Sequence, residues 1–225
     1  MIVSIARELG AGGGTVGEAL ARLLGATLLD ERSIIEKLSE RHGISAQYLA
    51  RTAERPPTMG ERLIADLARA SAMVPFNTEW RMPDDPIIDR VRALVYESAE
   101  HGHVVVIGHG GVSLLGWRPA GVRVLAILLQ ASPGWRVGQL ARRCAIDLAE
   151  AQGRIARTDE ARQRYQKHYF ACDMYDSRQY DLVINTERMG LDLSIELATQ
   201  AVRALAEDRS EVGAAAGEYD ARDAG

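Results

Sequence analysis

Gly10-Ala11-Gly12-Gly13-Gly14-Thr15 has the composition and the setting to hold a phosphate. It lies between a short apolar run, Ile2 to Ala6, and a helical pattern from Val16 to Leu24. Glycine lets the backbone turn sharply and come close to an anion. The first helical turn has spare N–H groups, and the helix dipole favours negative charge in front of them. Thr15 adds a hydroxyl that could reach a phosphate oxygen or a magnesium-bound water. The plain alternative is a glycine-rich turn that binds nothing, but the strand before it and the helix after it are the context phosphate binding needs.

Two known patterns fit these residues incompletely. The pattern G-x-x-x-x-G-K-[ST] lacks its lysine here: Gly13 stands in that place, and Arg7 stands where the first glycine belongs. Gly12-x-Gly14-x-x-Gly17 also matches a dinucleotide fingerprint. Asp30, closing the next apolar run Ala26 to Leu29, is about where a ribose-binding carboxylate would stand. Nearly all the positive charge is arginine, the lysines being Lys37 and Lys167 alone. A phosphate must therefore be gripped by backbone N–H or by guanidinium, which suits bidentate contacts.

The elements that position these residues follow from periodicity. Ile2 to Ala6 reads as a buried central strand of a parallel sheet, with Arg7 and Glu8 at its exit. The helix from Thr15 to Gly25 buries a stripe of Val16, Leu20, Leu23 and Leu24. Ala26 to Leu29 is a short strand or extended piece, and Asp30 caps a helix running to His42-Gly43. A short helix starts at Ile44-Ser45, and another carries Leu63 and Ile64. Ser71 to Pro86 is irregular, with Phe76 and Trp80 suited to pinning a loop or stacking on a base. Pro86 to Glu100 is helical.

His103 to Ile107 is a second buried strand, ending in the turn Gly108-His109-Gly110-Gly111, so two glycine turns share one sheet edge and His109 is a candidate site residue. Val122 to Leu129 is a third strand. Ser132-Pro133 starts a helix with Arg136, Arg142 and Arg143, Ser132 as cap and Pro133 in the first position. Asp147 to Tyr169 is helical and densely charged, Tyr180 to Ile184 is a fourth long strand, and Leu191 to Leu205 is a closing helix. About seventy residues, mostly helical, separate Asp30 from His103, which weakens the dinucleotide reading.

A chain of 225 residues with 47 % hydrophobic content is enough for one α/β domain or for a core plus an inserted helical subdomain. The net charge of −4 and a pI near 5.8 argue against a general nucleic-acid binder. No run reaches membrane length and no leader precedes the first strand, so a cytoplasmic protein without membrane partners is expected. Cys144 and Cys172 read as reduced thiols, and 207–225 as a disordered acidic tail.

Several motifs, in order, carry a resemblance. Leu129-Gln130-Ala131-Ser132-Pro133 followed by arginines, and Tyr180-Asp181-Leu182-Val183-Ile184-Asn185-Thr186 before the last helix, resemble nucleoside monophosphate kinases. Arg7-Glu8-Leu9-Gly10-Ala11-Gly12-Gly13 and Asp159-x-x-Arg162-x-x-Tyr165-x-x-x-Tyr169 resemble the cytidylate kinase-like branch. The likeness spans about residues 1 to 205.

It implies a P-loop NTPase-like three-layer α/β fold: a parallel central sheet, a helical acceptor-binding insert and a helical lid. The domain would cover 1–206, its core 1–30 and 101–206, its insert about 31–100 and its lid about 147–175. It implies ATP and Mg2+, and phosphoryl transfer to a nucleoside monophosphate, cytidylate-like or a related small phosphoacceptor, with a homodimer left open. Gly10, Ala11, Gly12, Gly13, Gly14 and Thr15 would cradle the donor phosphates, Thr15 also reaching the metal. Arg157 and Arg162 would neutralise the transferring group, and Asp159 would orient them. Arg7, Asp30, Arg62, His109 and Arg118 would face the acceptor.

The chain departs from the family pattern in lacking the lysine and in carrying Gly108-His109-Gly110 where cytidylate kinases have Gly-Arg-Asp. Those departures leave open a nucleotide-binding regulator of the same fold with weak or no turnover, and Gly12-x-Gly14-x-x-Gly17 with Asp30 leaves an NAD-dependent oxidoreductase.

Overall fold

The computed structural model describes residues 1–42, 86–108, 110–115 and 122–207. Arg62, His109 and Arg118 lie outside the described residues, as do the helices expected at Ile44-Ser45 and around Leu63, the Phe76 and Trp80 stretch, and residues 208–225. Among the described residues no helix is long and apolar enough to cross a membrane.

Five strands form one all-parallel sheet: β1 (Ile2–Arg7), β2 (Thr27–Leu29), β3 (Val104–Ile107), β4 (Val124–Gln130) and β5 (Leu182–Asn185). Their spatial order is β2-β3-β1-β4-β5. The described helices are α1 (Gly13–Leu24), α2 (Glu31–His42), α3 (Pro86–Glu100), α4 (Gly111–Leu114), α5 (Pro133–Cys144), α6 (Leu148–Phe170) and α7 (Thr186–Glu207).

The central strands are apolar on both faces because both faces are covered. Val104 and Val106 of β3 pack with Leu38 of α2 and with Val91 and Leu94 of α3. Val105 and Ile107, pointing the other way, pack with Val16 and Leu20 of α1 and with Ala198 and Val202 of α7. Full burial of a side chain such as Leu20 stabilises by about 1.5–3 kcal/mol, and it is on both sheet faces that such burial accumulates. The result is the three-layer fold expected from the sequence.

Several boundaries differ from the sequence reading. Helix α1 starts at Gly13, because Gly12 takes a left-handed φ of 81° and caps it. Leu23, expected on the buried stripe, is 54 % exposed, and the alanines Ala19 and Ala21 are buried instead. Helix α7 starts at Thr186, five residues before Leu191, and kinks at Gly190, whose φ is 74°. Elsewhere the local chemistry works as read: Gly25 ends α1 in the left-handed region, and Ser132 accepts from Trp135 N at the start of α5.

In the order found, β1 lies between β3 and β4. In the dinucleotide-binding order β1 lies beside β2, so the topology is not that of the oxidoreductase reading. Because all strands run one way, the loops leaving β1, β3 and β4 open on one sheet edge, where open α/β sheets take their ligands.

Candidate functional site

Two cavities open on that edge. One, of about 620 Å3, is floored by Gly10, Gly12, Gly13 and Gly14 and includes Asp30, Arg143 and Glu18. The other, of about 330 Å3, lies under α6 against Gly108, Gly110 and Gly111 of the turn after β3, with Arg157, Tyr165 and Gln166 above it. Arg7, Glu31 and Arg162 line both, so they form the wall between them.

Arg7 explains the missing lysine. A Cβ at Gly13 would lie 2.6 Å from Arg7 Cγ and 2.8 Å from its Cβ, and a Cβ at Gly108 would lie 1.9 Å from its Nη1. The arginine stem therefore fills the space that a side chain at position 13, where the pattern has its lysine, would enter. Its guanidinium ends against the turn after β3. Gly13 is required by the close approach of the Arg7 stem, and Gly108 by its left-handed φ of 84°. Burial, and then the nearby Arg162 charge, pull the Arg7 guanidinium down to about 9 from its ordinary 12.5, with Glu31 and Asp30 opposing. Arg162 is also lowered, by burial first, against the attraction of Asp159 and Glu31. Its Nη1 donates to the Arg7 carbonyl at 3.1 Å. Two crowded cations at the wall between two cavities make a site that favours anions.

A second network ties α5 and α6 to the entrance of the glycine loop. Arg136 of α5 is 6 % exposed. Its Nη1 donates to Asp159 Oδ2 at 2.5 Å and to the Leu9 carbonyl at 3.3 Å, and its Nε lies 3.5 Å from Glu8 Oε2. Asp159 Oδ1 accepts from Leu9 N at 3.1 Å, and Glu8 Oε2 accepts from Ala131 N at 3.0 Å. Nε of Arg136 makes no geometric hydrogen bond, so its partner is the Glu8 charge. Leu9 itself packs into a small apolar cluster with Leu140 and Ile155, between α5 and α6.

The structure distributes the expected site residues as follows. Gly10, Gly12, Gly13 and Gly14 line the larger cavity, whereas Ala11 is turned into the core at 0 % exposure. Thr15 is exposed and lines neither cavity. Arg157 and Arg162 line the smaller cavity, and Asp159 grips the Leu9 amide and Arg136. Asp30 lines the glycine cavity but not the smaller one, and it caps α2: Ser33 N donates to its Oδ1 at 2.8 Å while Asp30 N donates to Ser33 Oγ at 2.9 Å. Sequence reasoning missed Glu31, which lines both cavities, and gave no role to Glu8 or Arg136. For Glu31 the signal was its place next to the capping Asp30. For Arg136 it was a lone arginine on the first turn after a glycine-facing strand, and nothing in the sequence says it is buried.

A parallel five-stranded sheet, a glycine loop feeding the first helix, and arginines converging on that loop define a phosphate-binding α/β protein. The chain belongs to the cytidylate kinase-like family, whose family model matches residues 2–188. It is similar to a cytidylate kinase of Methanothrix thermoacetophila, 24 % identical over 205 residues that span 91 % of this chain and 99 % of that one. It is also similar to a cytidylate kinase of Ignicoccus hospitalis, 28 % identical over 196 residues, spanning 87 % and 95 % of the two chains. Among solved structures, an uncharacterized protein from Eubacterium ventriosum superposes with a TM-score of 0.64 at 16 % identity, covering 91 % of this chain and 99 % of that one. A protein from Thermus thermophilus gives 0.50 at 19 % identity, covering 91 % and 97 %. Those two likenesses show the fold alone.

Proposed function

We propose that the protein transfers the γ-phosphoryl group of ATP to a nucleoside monophosphate. One observation carries the reading: the wall shared by the two cavities is built from Arg7 and Arg162, with Glu31 beside them. The donor triphosphate lies on the amides of Gly10 to Gly14, and the acceptor phosphate enters the smaller cavity from the other side. The group in transit then passes between two guanidiniums. Such transfer asks little covalent chemistry of the protein and depends on positioning and on positive charge at the moving group. The curated relatives named cytidylate kinase support the same class.

In this reading Arg7 takes the place of the lysine. That weakens one of the two arguments for the regulator alternative, the absent lysine; the other, His109, lies outside the described residues. Helix α6 is the lid, and the acceptor lies between it and the turn after β3, with Glu31 of α2 beside it. Asp159 fixes the loop entrance, and through it the arginines, rather than touching the phosphates.

Magnesium is commonly held by one or two carboxylates together with substrate phosphates. Asp30 and Glu31 line the glycine cavity, and no group of three potential metal ligands occurs among the described residues. These residues fit an ion that arrives with the nucleotide, with Glu31 in the role first given to Thr15. When bound, it would offset phosphate charge.

The test is ADP release from ATP and magnesium against a panel of nucleoside monophosphates. At least one acceptor is expected to give turnover, and Arg162→Ala should lower kcat about 10³-fold with little change in Tm, as for other transition-state arginines. Tight ATP binding with no turnover on any acceptor would return the protein to the regulator class.

A further inference from the structure

The face of α6 above the smaller cavity carries two kinds of chemistry one helical turn apart. Arg162 faces the wall shared with the glycine cavity, and Gln166 lies four residues on, roughly 6 Å along the axis by the helix rise. Gln166 is 7 % exposed and yet lines the cavity. Its Oε1 accepts from the buried Ser113 Oγ at 3.0 Å. That bond fixes the amide plane, and no described residue accepts from Nε2. Nε2 is not among the fully buried unpaired atoms, so it is open to the cavity, where a ligand that covered it without accepting from it would lose about 1–3 kcal/mol. Holding one end of an amide while leaving the other on a cavity is therefore the arrangement of a recognition group. Beside it, the Tyr165 ring is set by its packing on Tyr169, with centroids 4.7 Å apart, and on Phe170.

We propose that Gln166 reads the base of the acceptor. Its Nε2 donates to a ring carbonyl or ring nitrogen of a nucleoside monophosphate, the base lies against Tyr165, the sugar spans the helical turn, and the phosphate lies against Arg7 and Arg162. The proposal rests on the phosphotransfer reading for its acceptor class, but not for its test. A site built to hydrogen-bond one group discriminates against ligands lacking it, because the buried polar atom is then left unpaired.

Equilibrium titration of the full chain without ATP separates binding from turnover. The probes are CMP, UMP, AMP and ribose 5-phosphate. At least one nucleotide is expected to bind tenfold or more tightly than ribose 5-phosphate. Gln166→Leu, close in shape and apolar, should reduce that preference about tenfold and leave ribose 5-phosphate affinity within twofold. Ser113→Ala, which frees the amide to rotate, should give a smaller loss in the same direction, and it serves as the second variant if Gln166→Leu folds poorly. The inference is overturned if wild type binds ribose 5-phosphate as tightly as every nucleotide, or if a folded Gln166→Leu keeps the full preference. Base-dependent binding lost in Gln166→Leu, with no ADP formed in any reaction, upholds this inference and sinks the transfer reading. ADP formation with an unchanged preference in Gln166→Leu does the reverse.

Discussion

Arg7 is a charge kept where the fold disfavours it. Its lowered pKa reports burial first and the Arg162 charge second. Removing such a charge should not destabilise the protein, since replacing a poorly paired buried ion by an apolar side chain is commonly neutral or stabilising. Arg7→Met should therefore leave Tm unchanged or raised while weakening ATP binding at least tenfold; calorimetry and titration on the same sample would show both.

Proton linkage gives a companion prediction. Only the protonated guanidinium attracts a triphosphate, and its pKa in the free protein is about 9. ATP affinity should be level from pH 7 to 8 and fall as pH rises through about 9, and the fall should be absent in Arg7→Met. The sequence showed that Arg7 stood beside the glycines and that a phosphate there had to be gripped by backbone N–H or by guanidinium. It did not show that the stem would lie on Gly13, because that contact depends on β3 arriving beside β1 and bringing Gly108 with it.

At the scale of elements, α6 is tied to the glycine loop through one buried ion cluster. Arg136 serves two carboxylates and one carbonyl on two segments: Glu8 and Leu9 just past β1, and Asp159 on α6. Removing the arginine would leave two largely buried carboxylates without their cation. Arg136→Ala should cost about 3–5 kcal/mol, the range for breaking a buried pair from one side. For a domain of this size that is a fall in Tm on the order of 10 °C. Asp159→Asn keeps an acceptor for Leu9 N and should cost less. Loss of protection at the Leu9 amide in hydrogen exchange would locate the damage.

The helix starts behind this arrangement were legible in the sequence. Ser132-Pro133 and Asp147 cap α5 and α6, and Glu150 N donates to Asp147 Oδ1 at 2.7 Å. The partners of Arg136 were not legible, since its distance in sequence from Glu8 and Asp159 gives no periodic signal. Behind the smaller cavity, Tyr180 donates its hydroxyl to the Met174 carbonyl at 2.8 Å. Tyr180→Phe should cost about 1 kcal/mol by denaturant titration, the usual net worth of one buried hydrogen bond.

For the molecule as a whole, the sheet order decides what the loops can do together. Placing β1 between β3 and β4 brings the glycine loop, the turn after β3 and the start of α5 onto one edge. Four of the five strands and their parallel sense could be read from short β-branched runs separated by helical periods, because a sheet covered on both faces writes itself as continuous apolar stretches, while Thr27–Leu29 read only as a short strand or extended piece. Their spatial order could not be read from those runs, since a strand buried on both faces carries no mark of its neighbours. Glu31 shows the consequence. It looked like an ordinary first-turn acid on α2 until the order β2-β3-β1 placed it beside both cavities.

The central claim is that an arginine from the end of β1 supplies the charge usually supplied by a lysine inside the glycine loop. Binding of Mg2+ and a non-hydrolysable ATP analogue to wild type, Arg7→Ala, Gly13→Lys and the double variant tests it most directly. Arg7→Ala should weaken binding at least tenfold, and Gly13→Lys alone should also weaken it, because its side chain meets the Arg7 stem. The double variant should recover most of the affinity, a strong coupling of the kind expected for residues that share one space. Wild-type affinity in Arg7→Ala, or simple addition of the two losses in the double variant, would contradict the account.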